Sequence, residues 1–216
     1  MKIYAISGLG ADRRVFQFLT LEYDLIPLDW ILPLKNEAIS SYAKRLSQAI
    51  DTSEPFCILS VSFGGFVATE INKILQPELS ILVSSVETKN ELPLLYRLFG
   101  KLKLIPLLPK VFFQPPKQLM YWLFGTKQKQ LLAKILDDTD LSFTKWAIGA
   151  LVTWQNTAQN TNTVRIHGDA DRLIPLNGST PLYVVSSGTH FMIVDKAKEV
   201  SNCINEAIKS VTSNKK

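Results

Sequence analysis

Ser60-Val61-Ser62-Phe63-Gly64-Gly65 reads SVSFGG and directly follows the apolar run Phe56-Cys57-Ile58-Leu59. A short apolar run bounded by small residues is the signature of a fully buried strand, and the helical periodicity that follows, to about Leu75, makes the junction a strand-to-helix turn. Two adjacent glycines at such a junction need a reason. A nucleophilic hydroxyl must stand clear of the backbone, and a sharp, strained turn holds it there only with small neighbours. Ser60, Gly64 and Gly65 are those neighbours. The same turn puts Ser62 at the first turn of the helix, where free N–H groups and the helix dipole favour the negative charge of acyl transfer.

Outward from this turn, apolar runs alternate with helical patterns. Lys2 to Ser7 is a short strand closed by Gly8-Leu9-Gly10, followed by a short helical stretch from Asp12 and a second strand within Asp24–Trp30. From Asn36, read as an N-cap, Ile39, Tyr42, Ala43, Leu46 and Ile50 share a helical face before the strand Phe56 to Val61. Leu79 to Ser84 is the next strand. Near-continuous apolar strands separated by helices predict a parallel sheet covered on both faces, the α/β class. The rhythm stops between 87 and 161, where leucines, scattered lysines and Pro106, Pro109 and Pro115-Pro116 predict several short amphipathic helices. It resumes with strands at Thr163 to His167 and Pro181 to Val185 and a closing helix carrying Ala197, Val200, Ile204, Ala207, Ile208 and Val211 on one face. The Ser213-Asn-Lys-Lys end is expected to fray. The expected division is therefore a core of 1–86 and 162–216 with a helical insertion at 87–161.

Composition bounds the function. The 216 residues are 46% hydrophobic and 20% charged with a net charge of +5, an ordinary globular mixture without a basic block that would mark a nucleic-acid surface. No apolar stretch approaches the roughly 18 residues of a membrane span, and no signal-like segment opens the chain. Cys57 and Cys203 read as small core residues, which fits a cytoplasmic protein without a disulfide or a cysteine-based metal site.

SVSFGG resembles the nucleophile elbow G-x-S-x-G of the α/β-hydrolase superfamily, with Ser60 in place of the first glycine. Two further segments resemble the same superfamily in its chain order of serine, acid, histidine. IHGDADRLIP (Ile166 to Pro175) is similar to its H-G-x-x-D-x-x-x-P segment, and SSGTHFMI (Ser186 to Ile193) to its G-x-H-F segment. The resemblance implies a mostly parallel sheet of about six strands with a helical lid at 87–161, and Ser62, Asp171 and His190 as catalytic triad. It implies an oxyanion hole from the N–H groups of Phe63 and Leu9, the latter in ISGLGADRRVF (Ile6 to Phe16), where Ser7 replaces the usual histidine. The implied substrate is a small-molecule carboxylic ester or thioester, most simply an apolar one, with neither cofactor nor metal. The lid would roof the acyl pocket with its leucines and Phe112-Phe113, with Tyr121-Trp122 or Trp146 as lining.

Alternatives remain within and beyond that reading. Asp169 and Glu87 both stand where an acid could come from, and an unused Asp169 would cap or pair with Arg172. His167, before a glycine at a strand end, reads as a buried imidazole bracing its loop. Gly8-Leu9-Gly10 with Asp29 at the end of the second strand also fits a dinucleotide-binding βαβ unit, although Arg13 occupies its third small position. A hydrolase fold that only binds an apolar ligand or a partner is a third class. Lys101, Lys103 and Lys110 beside the apolar insertion leave room for transient contact with a membrane surface.

Overall fold

A computed structural model describes residues 1–102, 105–177 and 183–213. Lys103, Pro181 and the terminal Asn214-Lys215-Lys216, all used in reading the sequence, lie outside the described residues. The chain forms β1 (Lys2–Ile6), β2 (Asp24–Leu28), β3 (Phe56–Val61), β4 (Leu79–Val83), β5 (Thr163–Gly168) and β6 (Tyr183–Val185). These join in one sheet of order β2-β1-β3-β4-β5-β6, every neighbouring pair parallel. The α/β class and the expected strand number are as the sequence indicates.

Side chains of a strand alternate between the two faces of a sheet, and here both faces are covered. Cys57, Leu59 and Val61 of β3 pack with Val200, Ile204, Ala207 and Ile208 of α8 (Ala197–Ser213). Ile58 points the other way, into Tyr42 and Leu46 of α1 (Ile39–Leu46) and Phe66, Val67 and Ile71 of α2 (Phe63–Leu75). That is why β3 is buried at all six positions and reads as an unbroken apolar run. The start of α1 departs from expectation. Asn36 sits in a turn with φ 57° and the helix begins after Ala38, without a side-chain cap. The turn is held instead by Glu37, whose carboxylate accepts from the Leu34 N–H at 2.8 Å and from Arg45 at 2.7 Å.

Between β4 and β5, the described residues hold α3 (Leu94–Leu102), α4 (Lys117–Phe124), α5 (Lys129–Asp138) and α6 (Leu141–Thr153), with 3₁₀ turns at Ile105–Leu107 and Lys110–Phe113. The segment leaves the sheet through a pinned corner. Glu91 accepts from the Glu87 N–H at 2.8 Å and lies 3.3 Å from the Arg165 guanidinium of β5, and both side chains are buried. Among the described residues no helix is long and apolar enough to cross a membrane.

The strand order reverses between β1 and β3, because the chain runs from β1 outward to β2 and then returns to the other side of β1. Loops leaving the carboxyl ends of two such strands diverge and open a crevice, the usual place for a ligand in an open parallel sheet. Here those loops begin at Ser7 and Ser62. They still approach closely at one point: a Cβ on Gly64 would meet the main-chain carbonyl oxygens of Ser7 and, at 2.6 Å, Ile6. Main chain in a buried strand cannot retreat, so Gly64→Ala is expected to cost about 2 kcal/mol or more of stability, read as a lower urea midpoint. An unchanged midpoint would contradict this packing.

Candidate active site

Ser62 lies between β3 and α2 with φ 51° and ψ −121°, a conformation L residues seldom adopt. Three hydrogen bonds fix it. Its N–H donates to Val83 O (2.9 Å), while its carbonyl accepts from the Ser85 hydroxyl (2.7 Å) and the Gly65 N–H (2.9 Å). A Cβ on Gly65 would collide with that Ser85 hydroxyl, so the second glycine leaves room for the group that holds the turn. Ser60, where a glycine would be usual, points its hydroxyl at Ile81 O of β4 (3.1 Å) and is fully buried.

The turn directs Ser62 Oγ to His190 Nε2 at 2.8 Å. His190 follows β6, just before α7 (Met192–Asp195), and its Nδ1 lies 2.8 Å from Asp171 Oδ2. An ionised carboxylate only accepts, so Nδ1 carries the ring proton and Nε2 is left to accept from the serine. Asp171 is buried, and its other oxygen accepts from the N–H groups of Leu173 and Ile174, both at 2.9 Å. Two backbone donors and the imidazole thus set the orientation of the carboxylate.

The competing acids are placed elsewhere. Asp169 is exposed, and Arg172 does not pair with it but donates to Trp122 O at 2.8 Å and stacks over the Trp122 ring. Glu87 is buried with its carboxylate on the N–H of Asn160 at 2.7 Å. His167 is buried and donates from Nε2 to Ile174 O (2.8 Å), bracing the acid loop. Asp29 of the dinucleotide reading forms an exposed ion pair with Arg13 at 2.6 Å.

Phe63 is the first residue of α2, so its N–H has no acceptor within the helix. Across the crevice, Gly8 packs against Ser62, a Cβ there reaching Ser62 Cβ at 3.4 Å, and Leu9 is the next residue of that loop. The position of the missing histidine is filled by other groups. Ser7 Oγ donates to Ala11 O (2.7 Å), and Trp30 Nε1 donates to the carbonyls of Gly8 (3.3 Å) and Ala11 (3.1 Å). Trp30 comes from beyond the end of β2, and nothing in the sequence pointed to it.

Above these residues lies a cavity of about 750 Å³ with mostly apolar walls, reached by Leu9, Ser62, Phe63 and His190 from the sheet side. Val15, Leu173, Ile174 and Phe191 add to that side, and the remaining walls come from the 87–161 segment. Here the expected lining is corrected: Phe113 faces the cavity but Phe112 is turned outward and exposed. Trp122 is exposed, and Trp146 is committed elsewhere, packing tilted against Tyr42 at 4.4 Å and donating to Glu37 O. Tyr121 packs into the core on the α8 side; from α4 it is Met120, Leu123 and Phe124 that line the space. Helical phase decides this, because each face of a short helix takes only some of its aromatics. Two contacts run from this segment to His190 and to the loop that carries Asp171: Phe124 meets the His190 ring edge-on at 5.2 Å, and Tyr96 OH donates to Leu173 O at 2.8 Å. Neither was visible in a motif.

Burial pushes the His167 imidazole below its ordinary value, only partly offset by the Ile174 carbonyl and the nearby Asp171 carboxylate. Above the unfolded value of about 6.5 both states are neutral; below it the unfolded chain binds a proton that the native state refuses. His167 therefore supplies stability that is present above that pH and is lost as pH falls. The urea midpoint of the parent should drop more steeply below about pH 6.5 than that of His167→Gln. Equal slopes would contradict a buried neutral imidazole.

No family model and no curated protein matches the chain in sequence. Solved structures match over almost all of it. ClbQ from the colibactin NRPS/PKS pathway superposes with a TM-score of 0.64 at 16% identity, covering 98% of both chains. A lipase-esterase related protein from Clostridium acetobutylicum gives 0.71 at 16% identity, over 95% of this chain and 93% of that one. A thermophilic esterase from Thermogutta terrifontis gives 0.70 at 14%, over 98% and 90%. At such identities the likeness is one of backbone, and together with the six parallel strands it leads to one conclusion: the chain has the α/β-hydrolase fold.

Proposed function

We propose that the protein is a serine hydrolase that cleaves a carboxylic ester or thioester whose acyl group is apolar. One observation carries the reading. The hydrogen-bonded series Ser62 Oγ, His190 Nε2 and Nδ1, Asp171 Oδ2 has 2.8 Å at each link and stands at the floor of an apolar cavity.

In this mechanism His190 Nε2 takes the Ser62 proton as Oγ attacks the substrate carbonyl. Asp171 holds the imidazole in the required tautomer and stabilises the imidazolium that forms. The Phe63 and Leu9 N–H groups receive the oxyanion, and the positive end of α2 favours the same charge. His190 then returns the proton to the leaving alcohol or thiol, and water releases the acyl group from Ser62 by the reverse sequence. The cavity walls would hold the acyl chain, each buried methylene adding about 0.8 kcal/mol. The solved structures of like backbone include an esterase and a lipase-esterase related protein, which supports the reading at the level of reaction class.

A p-nitrophenyl ester series tests both the acid and the pocket. Asp171→Asn should lower kcat by about 10³-fold or more, while Asp169→Asn and Glu87→Gln leave it within about threefold. Over short acyl chains kcat/KM should rise by roughly fourfold per methylene. Full activity in Asp171→Asn would sink the triad, and an optimum at acetyl would sink the apolar pocket.

A further inference from the structure

The outer side of the cavity wall is as apolar as the inner side. Leu94, Leu95, Leu102, Leu107, Val111 and Phe112 are 59–79% exposed and come from α3 and the two 3₁₀ turns after it. All three elements pack on α6, so these side chains lie on one outer layer of the molecule. Their inward neighbours Phe99, Ile105, Leu108 and Phe113 line the cavity above Ser62.

Charge distinguishes this layer further. From Leu92 to Leu136 the sequence has eight Lys and Arg residues and no Asp or Glu; the rest of the chain has 16 basic against 19 acidic residues. Four of the eight, Arg97, Lys101, Lys103 and Lys110, belong to the stretch 94–113 that builds this face, which has no acidic residue. Lys101 and Lys110 stand exposed among the apolar side chains themselves.

We propose that this outer face of α3 and its following turns is a docking surface for an anionic lipid layer. Leucine, valine and phenylalanine set among lysines, without acid groups, match what an interfacial segment needs: apolar insertion and attraction to anionic headgroups. Protein interfaces, in contrast, are depleted in lysine. A two-fold contact with a second copy would set this cationic face against itself. The lipid surface is the occupant that satisfies both the exposed apolar area and the one-sided charge. Docking there places the lipid layer directly over the wall of the cavity.

The test is co-sedimentation of the full chain with vesicles of phosphatidylcholine alone and with roughly one-third phosphatidylglycerol added. The parent should bind the anionic vesicles at least about tenfold more tightly than the neutral ones, with the preference shrinking in high salt. The double variant Leu107→Ser/Phe112→Ser should lose about tenfold or more of this binding while keeping its melting temperature and its hydrolysis of a short soluble ester. Ser62→Ala should bind as the parent does, so vesicle binding and hydrolysis stand or fall separately. No binding to either vesicle, equal binding to both, or undiminished binding by the double variant would overturn the proposal. So would a dimer in analytical ultracentrifugation that the double variant dissolves, since that would assign the face to a second copy.

Discussion

Everything at the floor of the cavity depends on one unfavourable backbone conformation. A φ of 51° at Ser62 costs on the order of 1–3 kcal/mol and persists only because its surroundings determine it from several sides. The Val83 carbonyl, the Ser85 hydroxyl and the Gly65 N–H take both polar groups of the Ser62 main chain, and Gly64 lets α2 close on the end of β1. With the backbone fixed in this way, Oγ has little choice but to face His190. The glycines of SVSFGG share one cause, the packing that keeps Ser62 in its strained conformation.

The Asp171–His190 pair is held by a less obvious device. Asp171 and His190 come from loops after different strands, and the acid loop is tied by His167 to Ile174 and by Tyr96 to Leu173. Tyr96 belongs to α3, and Phe124, against the imidazole, belongs to α4. The helices between β4 and β5 therefore do more than cover the cavity, because they touch His190 and the loop that carries Asp171. Movement of α3 or α4 would be felt at Asp171 and His190 without any change in the sheet.

Local sequence carried much of this. Fully buried strands show as continuous apolar runs, and a strained turn advertises itself through glycine, so the sheet and the turn at Ser62 were legible in the residues themselves, whereas Asp171 and His190 came only from the resemblance of their segments to the α/β-hydrolase superfamily, with Asp169 and Glu87 left open as the acid. What was not legible depends on distant contacts. Asn36 looks like a helix cap, but the ion pair of Glu37 with Arg45 and its bond to Leu34 shape a turn that delays α1 to Ile39. Trp122 and Trp146 looked like pocket aromatics because composition gives no helical phase, which packing decides: Trp146 lies against Tyr42 and Trp122 under Arg172. Trp30, bracing the Gly8 carbonyl from the end of a neighbouring strand, is 22 residues away in sequence and joined to it only by the sheet. Such pairings follow from topology, and no local pattern encodes them.

The central claim is that this geometry makes Ser62 a nucleophile. Its most direct test is a fluorophosphonate, with the adduct located by peptide mass spectrometry in the parent, Ser62→Ala and His190→Ala. The account predicts a stoichiometric adduct on Ser62 of the parent, none at that position in Ser62→Ala, and labelling slowed by orders of magnitude in His190→Ala. A folded parent that takes up no probe, or a Ser62 that reacts equally well without His190, would contradict it.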